Sequence, residues 1–134
     1  MNFESHERNV EGIIILDLRG RLVAGETALL RERLSDLKDQ KNQINVILNL
    51  KNVDFIDSSG LGTLIAGHSI IAQGGGDLRL LNLSKRSAQL LILTKLTTVF
   101  QIFDDEQAAV NSFFAGREVK RFDILEFIKS QEQE

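Results

Sequence analysis

The chain has 134 residues, which is the length of one domain with a single hydrophobic core. With 43% hydrophobic and 26% charged residues and a net charge of -3, it has the composition of an ordinary soluble protein and no electrostatic reason to bind nucleic acid. It has no cysteine and only two distant histidines, His6 and His68, which argues against disulfides, metal catalysis and a bound cofactor.

The predicted elements alternate between strands and helices, which is typical of a layered α/β fold. Two strands come first, and the short link between them, 9–12, predicts an N-terminal antiparallel hairpin. The later strands are separated by helices, so we expect a mixed, mostly parallel sheet of four to five strands with helices mainly on one face. The predicted strands are 3–7, 13–19, 44–51, 77–83 and 99–103, and the predicted helices are 27–38, 61–72, 84–95, 104–114 and one in the final segment.

Small and polar residues mark the ends of these helices. Gly25 precedes the first helix, and the glycines at 74–76 are placed to end the second. Ser84 is the predicted N-cap of the third helix, and the acidic run 104–106 favours the start of the fourth. Because no Gly-Lys-Ser/Thr follows the three glycines, we interpret them as a turn and not as a phosphate loop.

Strand residues alternate between apolar and polar, as in a sheet that buries one face more completely than the other. The second face carries the polar residues of the strands. We therefore expect that second face to be partly open to water, with a small apolar stripe upon it. The stripe consists of Ile13, Ile15, Ile47 and Leu81.

The block Asp57-Ser58-Ser59-Gly60-Leu61-Gly62 lies where a strand passes into a helix. A hydroxyl in the first turn of a helix is near unpaired backbone N–H groups and the positive end of the helix dipole, a suitable place for a phosphate. On local chemistry alone, an ordinary capped turn is the favoured interpretation of the block, with Asp57 or a serine accepting from helix N–H groups, and only the flanking pattern favours the phosphate site. If Ser59 is the N-cap and Ser58 points outward, the two serines have a structural and a reactive role.

These residues resemble the STAS domain of anti-sigma factor antagonists. The resemblance covers about residues 3–115 and is carried by 46–50, by the segment 53–62 and by the Gly20-Arg21-Leu22 turn. It implies a STAS fold for residues 1–116, followed by a C-terminal extension, 117–134, that is partly helical.

The resemblance also implies a function, that of a partner switch. The unmodified protein would bind an anti-sigma factor that is also a serine kinase, and so free a sigma factor for transcription. That kinase would phosphorylate Ser58, and a PP2C-type phosphatase would reverse the modification. The residues around the phosphoacceptor are expected to contact the partner: Asp57, Ser59, Gly60, Leu61 and Gly62.

Two features depart from the family pattern. Many antagonists have an acidic residue directly after the Gly-x-Leu turn, where this chain has Val23. The extension carries an apolar set at mostly helical spacing that includes Phe122 and Ile128. We expect it to dock on the open sheet face, to join a second subunit as a homodimer, or to stay disordered until a partner binds.

The sequence also permits functions other than a partner switch. A non-phosphorylated STAS scaffold subunit of a stress-sensing or lipid-transport complex is the main alternative. A serine hydrolase is disfavoured because the chain has no Gly-x-Ser-x-Gly elbow, and His68 is expected to pack in the core, about three helical turns from Ser58. No apolar run could cross a bilayer and residues 1–6 do not resemble a signal peptide, so a cytoplasmic protein without membrane insertion is expected.

Overall fold

The structure is a computed structural model that describes residues 3–132. It contains a five-stranded sheet, five α-helices and a short 3₁₀ helix at Leu96–Thr98 within that range. The strands are β1 (Glu4–Val10), β2 (Ile13–Leu22), β3 (Val46–Ile56), β4 (Leu78–Leu81) and β5 (Ile102–Phe103). The helices are α1 (Thr27–Gln40), α2 (Ser58–Gln73), α3 (Lys85–Leu93), α4 (Glu106–Asn111) and α5 (Ile124–Glu132).

The strands follow chain order across the sheet, β1-β2-β3-β4-β5. The β1–β2 pair is an antiparallel hairpin and the other three pairs are parallel, which confirms the predicted mixed sheet. Strand β3 pairs with β2 along its whole length but with β4 only at 46–49. Its second half, 50–56, therefore extends beyond β4 and carries the chain to the start of α2.

Most predicted elements are present, and their ends differ for local reasons. Ser84 and Asp105 cap α3 and α4 as expected, accepting from the N–H groups of Ser87 at 3.1 Å and Ala108 at 2.9 Å. Strand β5 is shorter than predicted because the N–H groups of residues 99 and 100 turn back to the carbonyl oxygen of Leu96. They cannot also join the sheet.

The first face of the sheet forms the larger core. Leu16, Leu48 and Leu80 on neighbouring strands are fully buried there beneath the helices. Leu34 of α1 and Leu64 of α2 are equally buried, so these two helices cover the centre of the face. The predicted arrangement, with helices mainly on one face, is confirmed.

The apolar stripe on the second face is not open to water, which corrects the expectation. Ile13 is 4% exposed, and Ile15, Ile47 and Leu81 are 0% exposed. They pack with Phe103 and the alanines of α4 in a second core cluster. The short helix α4 crosses to this side of the sheet, and the sequence pattern alone gave no signal of which face it would cover.

The rest of the second face is polar, and its side chains bond to one another. The Arg8 guanidinium donates to Asp17 (Nε to Oδ2, 2.6 Å) and to Glu106 of α4 (Nη2 to Oε1, 2.6 Å). Asn49 Nδ2 donates to Asp17 Oδ1 at 2.8 Å. Hydrogen bonds from Arg8 are the main reason that the pKa of Asp17 lies below its usual value. The network ties β1, β2, β3 and α4 together.

The C-terminal extension docks on its own domain. Helix α5 contacts α3, and Ile124, Phe127 and Ile128 pack against the first core cluster. Leu125 lies on the opposite side of α5 and is 66% exposed. Of the alternatives expected for the extension, the structure has it docked, but beside α3 and not on the polar sheet face. None of the helices in residues 3–132 is long and apolar enough to span a membrane.

Candidate functional site

The predicted site is built where β3 passes into α2. Asp57 is the N-cap of α2, and its Oδ1 accepts from the N–H of Gly60 at 2.8 Å. Its Oδ2 accepts from the N–H of Ala24 at 3.2 Å, in the loop after β2. The backbone N–H of Asp57 donates to the carbonyl of Leu22 at 3.2 Å. This single residue therefore fixes the start of α2 against the end of β2.

The electrostatic state of Asp57 follows from these bonds. The N–H of Gly60 is the main cause that holds the pKa of the Asp57 carboxyl below its usual value, and the N–H of Ala24 acts in the same direction. A carboxylate at a helix N-terminus is also favoured by the helix dipole. Asp57 is thus an ionised capping residue, as the sequence suggested for its part in the turn.

Both serines lie on the surface in the first turn of α2. Because Asp57 is the N-cap, the suggestion that Ser59 caps the helix is wrong, and Ser58 and Ser59 occupy the first two helical positions. Both are exposed. Among the described residues, neither serine hydroxyl has a hydrogen-bond partner; the Ser59 main-chain carbonyl accepts from Thr63 Oγ1 at 3.1 Å. Both hydroxyls are therefore available at the surface.

The two glycines of the block have different surroundings. A Cβ at Gly60 would overlap the carbonyl oxygen of Leu22 and approach Ile56 Cγ2 to 2.9 Å. A Cβ at Gly62 would meet nothing within 4 Å. Gly60 is buried, so its missing side chain serves the packing of α2 on β2 and not, as expected from the sequence, a contact with the partner. The position of a Cβ at Gly62 is open space, so Gly62 can still be approached by a partner.

Helix α2 is buried along a narrower line than its apolar residues predicted. Its buried residues include glycine and threonine: Gly60, Thr63, Leu64, Gly67 and Ile71. The apolar periodicity of the sequence predicts that Ile65 and Ala72 lie on the buried side of α2, but both residues are exposed. Apolar periodicity does not count glycine, and α2 approaches its neighbours so closely that a Cβ at position 67 would lie 2.6 Å from Leu34 Cδ1.

One side of α2 reaches the surface from Ser58 onward. Gly62, which is half-buried, and Ile65, which is 41% exposed, follow Ser58 at helical spacing. Leu61 beside them is half-buried. An exposed isoleucine two turns from an exposed hydroxyl gives this end of the helix an apolar surface that a protein partner can cover. We call Ser58, Leu61, Gly62 and Ile65 the α2 surface.

His68 is not part of this surface. It is half-buried, with its ring edge-on to Phe100 at a centroid distance of 5.4 Å and Nε2 3.4 Å from Asp77 Oδ1. Ten residues of helix, about 15 Å, separate it from Ser58. The expected packing role is confirmed, and the arrangement offers no base for Ser58.

Residues 7–109, which are most of the chain, match the family model of the STAS domain. The chain belongs to the STAS domain family. The STAS match includes the block at 57–62 and ends before α5, so the C-terminal helix lies beyond the matched residues.

Two curated relatives have the same kind of name. The anti-sigma F factor antagonist of Paenibacillus polymyxa is 27% identical over 110 residues, 82% of this chain and 94% of the relative. The anti-sigma-B factor antagonist of Bacillus subtilis (strain 168) is 29% identical over 110 residues, 82% of this chain and 99% of the relative. The matched part of this chain therefore spans nearly the full length of each relative.

The fold is that of a solved antagonist. The structure of the anti-sigma factor antagonist SpoIIAA in its unphosphorylated form superposes with a TM-score of 0.70 at 21% identity, over 82% of this chain and 96% of that one. The Bacillus protein SpoIIAA in its phosphorylated form gives a TM-score of 0.64 at 20% identity, over 84% of this chain and 99% of that one. At this identity the likeness establishes the fold.

Two arginines and a phenylalanine come together near the block, which the sequence did not predict. Arg21 pairs with Phe55 across β2 and β3, and its guanidinium carbon lies 5.7 Å from the centre of the Phe55 ring. The guanidinium carbon of Arg86, in the first turn of α3, lies 5.8 Å from the same ring. In the sequence, Arg21 belongs to the Gly20-Arg21-Leu22 turn, and Lys85 and Arg86 are adjacent basic residues. No local pattern indicates that Arg21 and Arg86 lie over the same ring.

Proposed function

We propose that this STAS domain is an anti-sigma factor antagonist that works as a partner switch. In its unphosphorylated form it binds an anti-sigma factor that is also a serine kinase, and so frees a sigma factor for transcription. Phosphorylation of Ser58 by that kinase ejects the partner, and a PP2C-type phosphatase restores the binding form. The names of the two curated relatives support the general role.

The exposed Ser58 hydroxyl at the start of α2 carries this proposal. A kinase needs an accessible hydroxyl, and Ser58 is exposed and makes no hydrogen bond within the described part of the chain. A phosphate there would lie near the N–H groups of its own helix, so the domain can stay folded after modification. The partner surface, and not the STAS domain, would have to accommodate the new charge.

The size of the effect follows from the position of Ser58 in the α2 surface. Phosphorylation adds a charge of about -1.5 to -2. If the partner covers Ser58 together with Ile65 and supplies no cation there, that charge loses its hydration at the interface, which costs at least about 3 kcal/mol. Such a cost weakens binding by more than about a hundredfold. One phosphate is therefore sufficient to release the partner.

The remaining site residues have separate roles in the proposal. Asp57 positions the block by capping α2, and Gly60 allows the helix to approach β2. Ser59, Leu61 and Gly62 lie beside Ser58 and would contact the partner directly. In this proposal the domain itself catalyses no reaction, and it acts in the cytoplasm with its partner.

The division of the chain at residue 116 and a homodimer through the extension stay predictions. Helix α5 uses Ile124, Phe127 and Ile128 on its own domain, which leaves Leu125 as an exposed apolar side chain for a second copy. Measurement of molar mass in solution for the full chain and for Leu125→Asp tests the dimer. A dimer that persists in the variant would exclude this contact.

The switch is tested with the full chain as bait in extracts of its source cell. Ser58→Ala and Ser58→Asp are compared, and Ser59→Ala is the matched control because it changes the neighbouring exposed hydroxyl. We expect Ser58→Ala and Ser59→Ala to retain an anti-sigma factor kinase and Ser58→Asp to lose it. The captured kinase with labelled ATP should modify wild type and Ser59→Ala but not Ser58→Ala. Equal binding by Ser58→Ala and Ser58→Asp would instead favour a permanent scaffold subunit.

A further inference from the structure

A compact group lies at the end of the sheet where β3 ends and α2 begins, and it consists of Arg21, Phe55 and Arg86. Both guanidinium groups lie within 6 Å of the Phe55 ring centre, at 5.7 Å and 5.8 Å. Both arginines are exposed, and Phe55 is half-buried between elements. We call these three residues the arginine cluster.

The arginine cluster is not neutralised within the described residues. Arg8, Arg33, Arg79 and Arg117 each form an ion pair with a carboxylate of the chain. In the part of the chain that the structure describes, Arg21 and Arg86 have no such pair. Arg19, Arg31 and Arg121 have none either, but only Arg21 and Arg86 lie over the same aromatic ring. A cation over an aromatic face keeps its charge, and its N–H groups stay available to other acceptors.

The carboxylates that are close to the cluster in sequence do not pair with it. Among the described residues, Glu26 and Asp54 form no ion pair with either arginine, and the carboxylate of Asp57 accepts from two backbone N–H groups. Lys85 precedes Arg86 and adds a positive charge. Both guanidinium groups therefore keep N–H donors for a partner.

Fold stability does not explain why these cations are here. Lys85 and Arg86 occupy the first turn of α3, where the helix dipole disfavours positive charge, and that turn contains no acidic residue. Arg21 lies at the exposed end of β2, opposite Phe55. Exposed arginines that are pre-ordered on an aromatic ring are typical of surfaces that bind planar anionic groups.

We propose that the arginine cluster binds carboxylates on the surface of the protein partner. The inference rests on the proposed function for the place of that partner, because the cluster lies at the same end of the sheet as Ser58. Arg21 and Arg86 present forked N–H donors that fit carboxylate oxygens. An acidic protein surface is favoured over nucleic acid, since the chain as a whole is negative and would repel a polyanion. The cluster thereby selects among anti-sigma factors by charge.

The first test uses a hexaglutamate peptide as the probe, titrated into the isotope-labelled full chain and followed by NMR. We expect the largest shifts at the Arg21 and Arg86 Nε–H groups and the Phe55 ring, with loss of the shifts at about 0.5 M NaCl. Arg21→Gln with Arg86→Gln should remove them. Lys41→Gln, an exposed cation after α1 at the opposite end of the sheet, is the matched control. Equal shifts around Lys41, or tighter binding of an RNA oligonucleotide at the cluster, would overturn the proposal.

The second test measures association with the kinase captured by Ser58→Ala. Each Arg→Gln change should lower the association rate about two- to fivefold at low salt and have little effect at high salt, whereas Lys41→Gln should have none. If Ser58→Ala and Ser58→Asp bind alike, the switch fails while the peptide experiment still decides the cluster. If the phosphate gating holds but the arginine variants associate at the wild-type rate, only the present inference fails.

Discussion

Substituting Gly60 with alanine tests whether the proposed phosphoacceptor site depends on the close approach of α2 to β2. The added Cβ would overlap the carbonyl oxygen of Leu22 and lie 2.9 Å from Ile56 Cγ2. That carbonyl also accepts the N–H of Asp57, so it cannot move without disturbing the cap of the helix. We expect the whole start of α2 to shift or the domain to lose stability.

The magnitude can be bounded from the two glycines of the block. Overpacking of a tight contact costs about 1–3 kcal/mol, whereas replacing an unhindered helical glycine with alanine gains about 0.5–1 kcal/mol. Gly62→Ala meets nothing within 4 Å and should show only the gain. The free energies of unfolding of the two variants should therefore differ by about 1.5–4 kcal/mol, or roughly 10 °C in Tm for a domain of this size.

Urea unfolding followed by circular dichroism at the helix band is the suitable assay, because the chain has no tryptophan or tyrosine for fluorescence. The slope of free energy against urea should stay constant across the variants, so that midpoints report stability. The reasoning is refuted if Gly60→Ala unfolds within about 0.5 kcal/mol of Gly62→Ala, since the Leu22 contact would then tolerate a side chain.

Two further predictions concern the extension and the cap. Phe127→Ala should undock α5 and cost about 1–3 kcal/mol, because its partly buried ring packs on the first core cluster, while Leu125→Ala should be neutral; hydrogen exchange in α5 separates the two. The pKa of Asp57 is lowered by the Gly60 and Ala24 amides, so its stabilising effect is present above the unfolded value of about 4 and is lost as pH falls through the lower folded value. Asp57→Asn should accordingly flatten the acid side of the stability profile, and an unchanged profile would contradict this.

The fold could be predicted from the sequence wherever local pattern decides it. Alternating apolar residues predicted β2, β3 and β4, the short link 9–12 predicted the hairpin that contains β1, and polar residues such as Ser84 and Asp105 predicted the helix starts. The block at 57–62 was recognisable because several residue types coincide at one strand-to-helix junction. These are short-range preferences of the backbone and its caps, and they hold in most tertiary settings.

What the local pattern could not decide was settled by contacts between residues distant in the chain. The burial of Gly60 depends on a carbonyl 38 positions earlier in the sequence, at Leu22, and the meeting of Arg21 with Arg86 depends on the β2–β3 register and the position of α3. Helix α4 covers the second face and α5 docks beside α3, and each buries its apolar side there. The hydrophobic effect is non-directional, so an apolar helix side by itself does not specify which apolar surface it will cover. The sequence by itself therefore determined most of the strands and helices and the strand-to-helix junction that carries Ser58, and only the tertiary structure decided which surfaces meet.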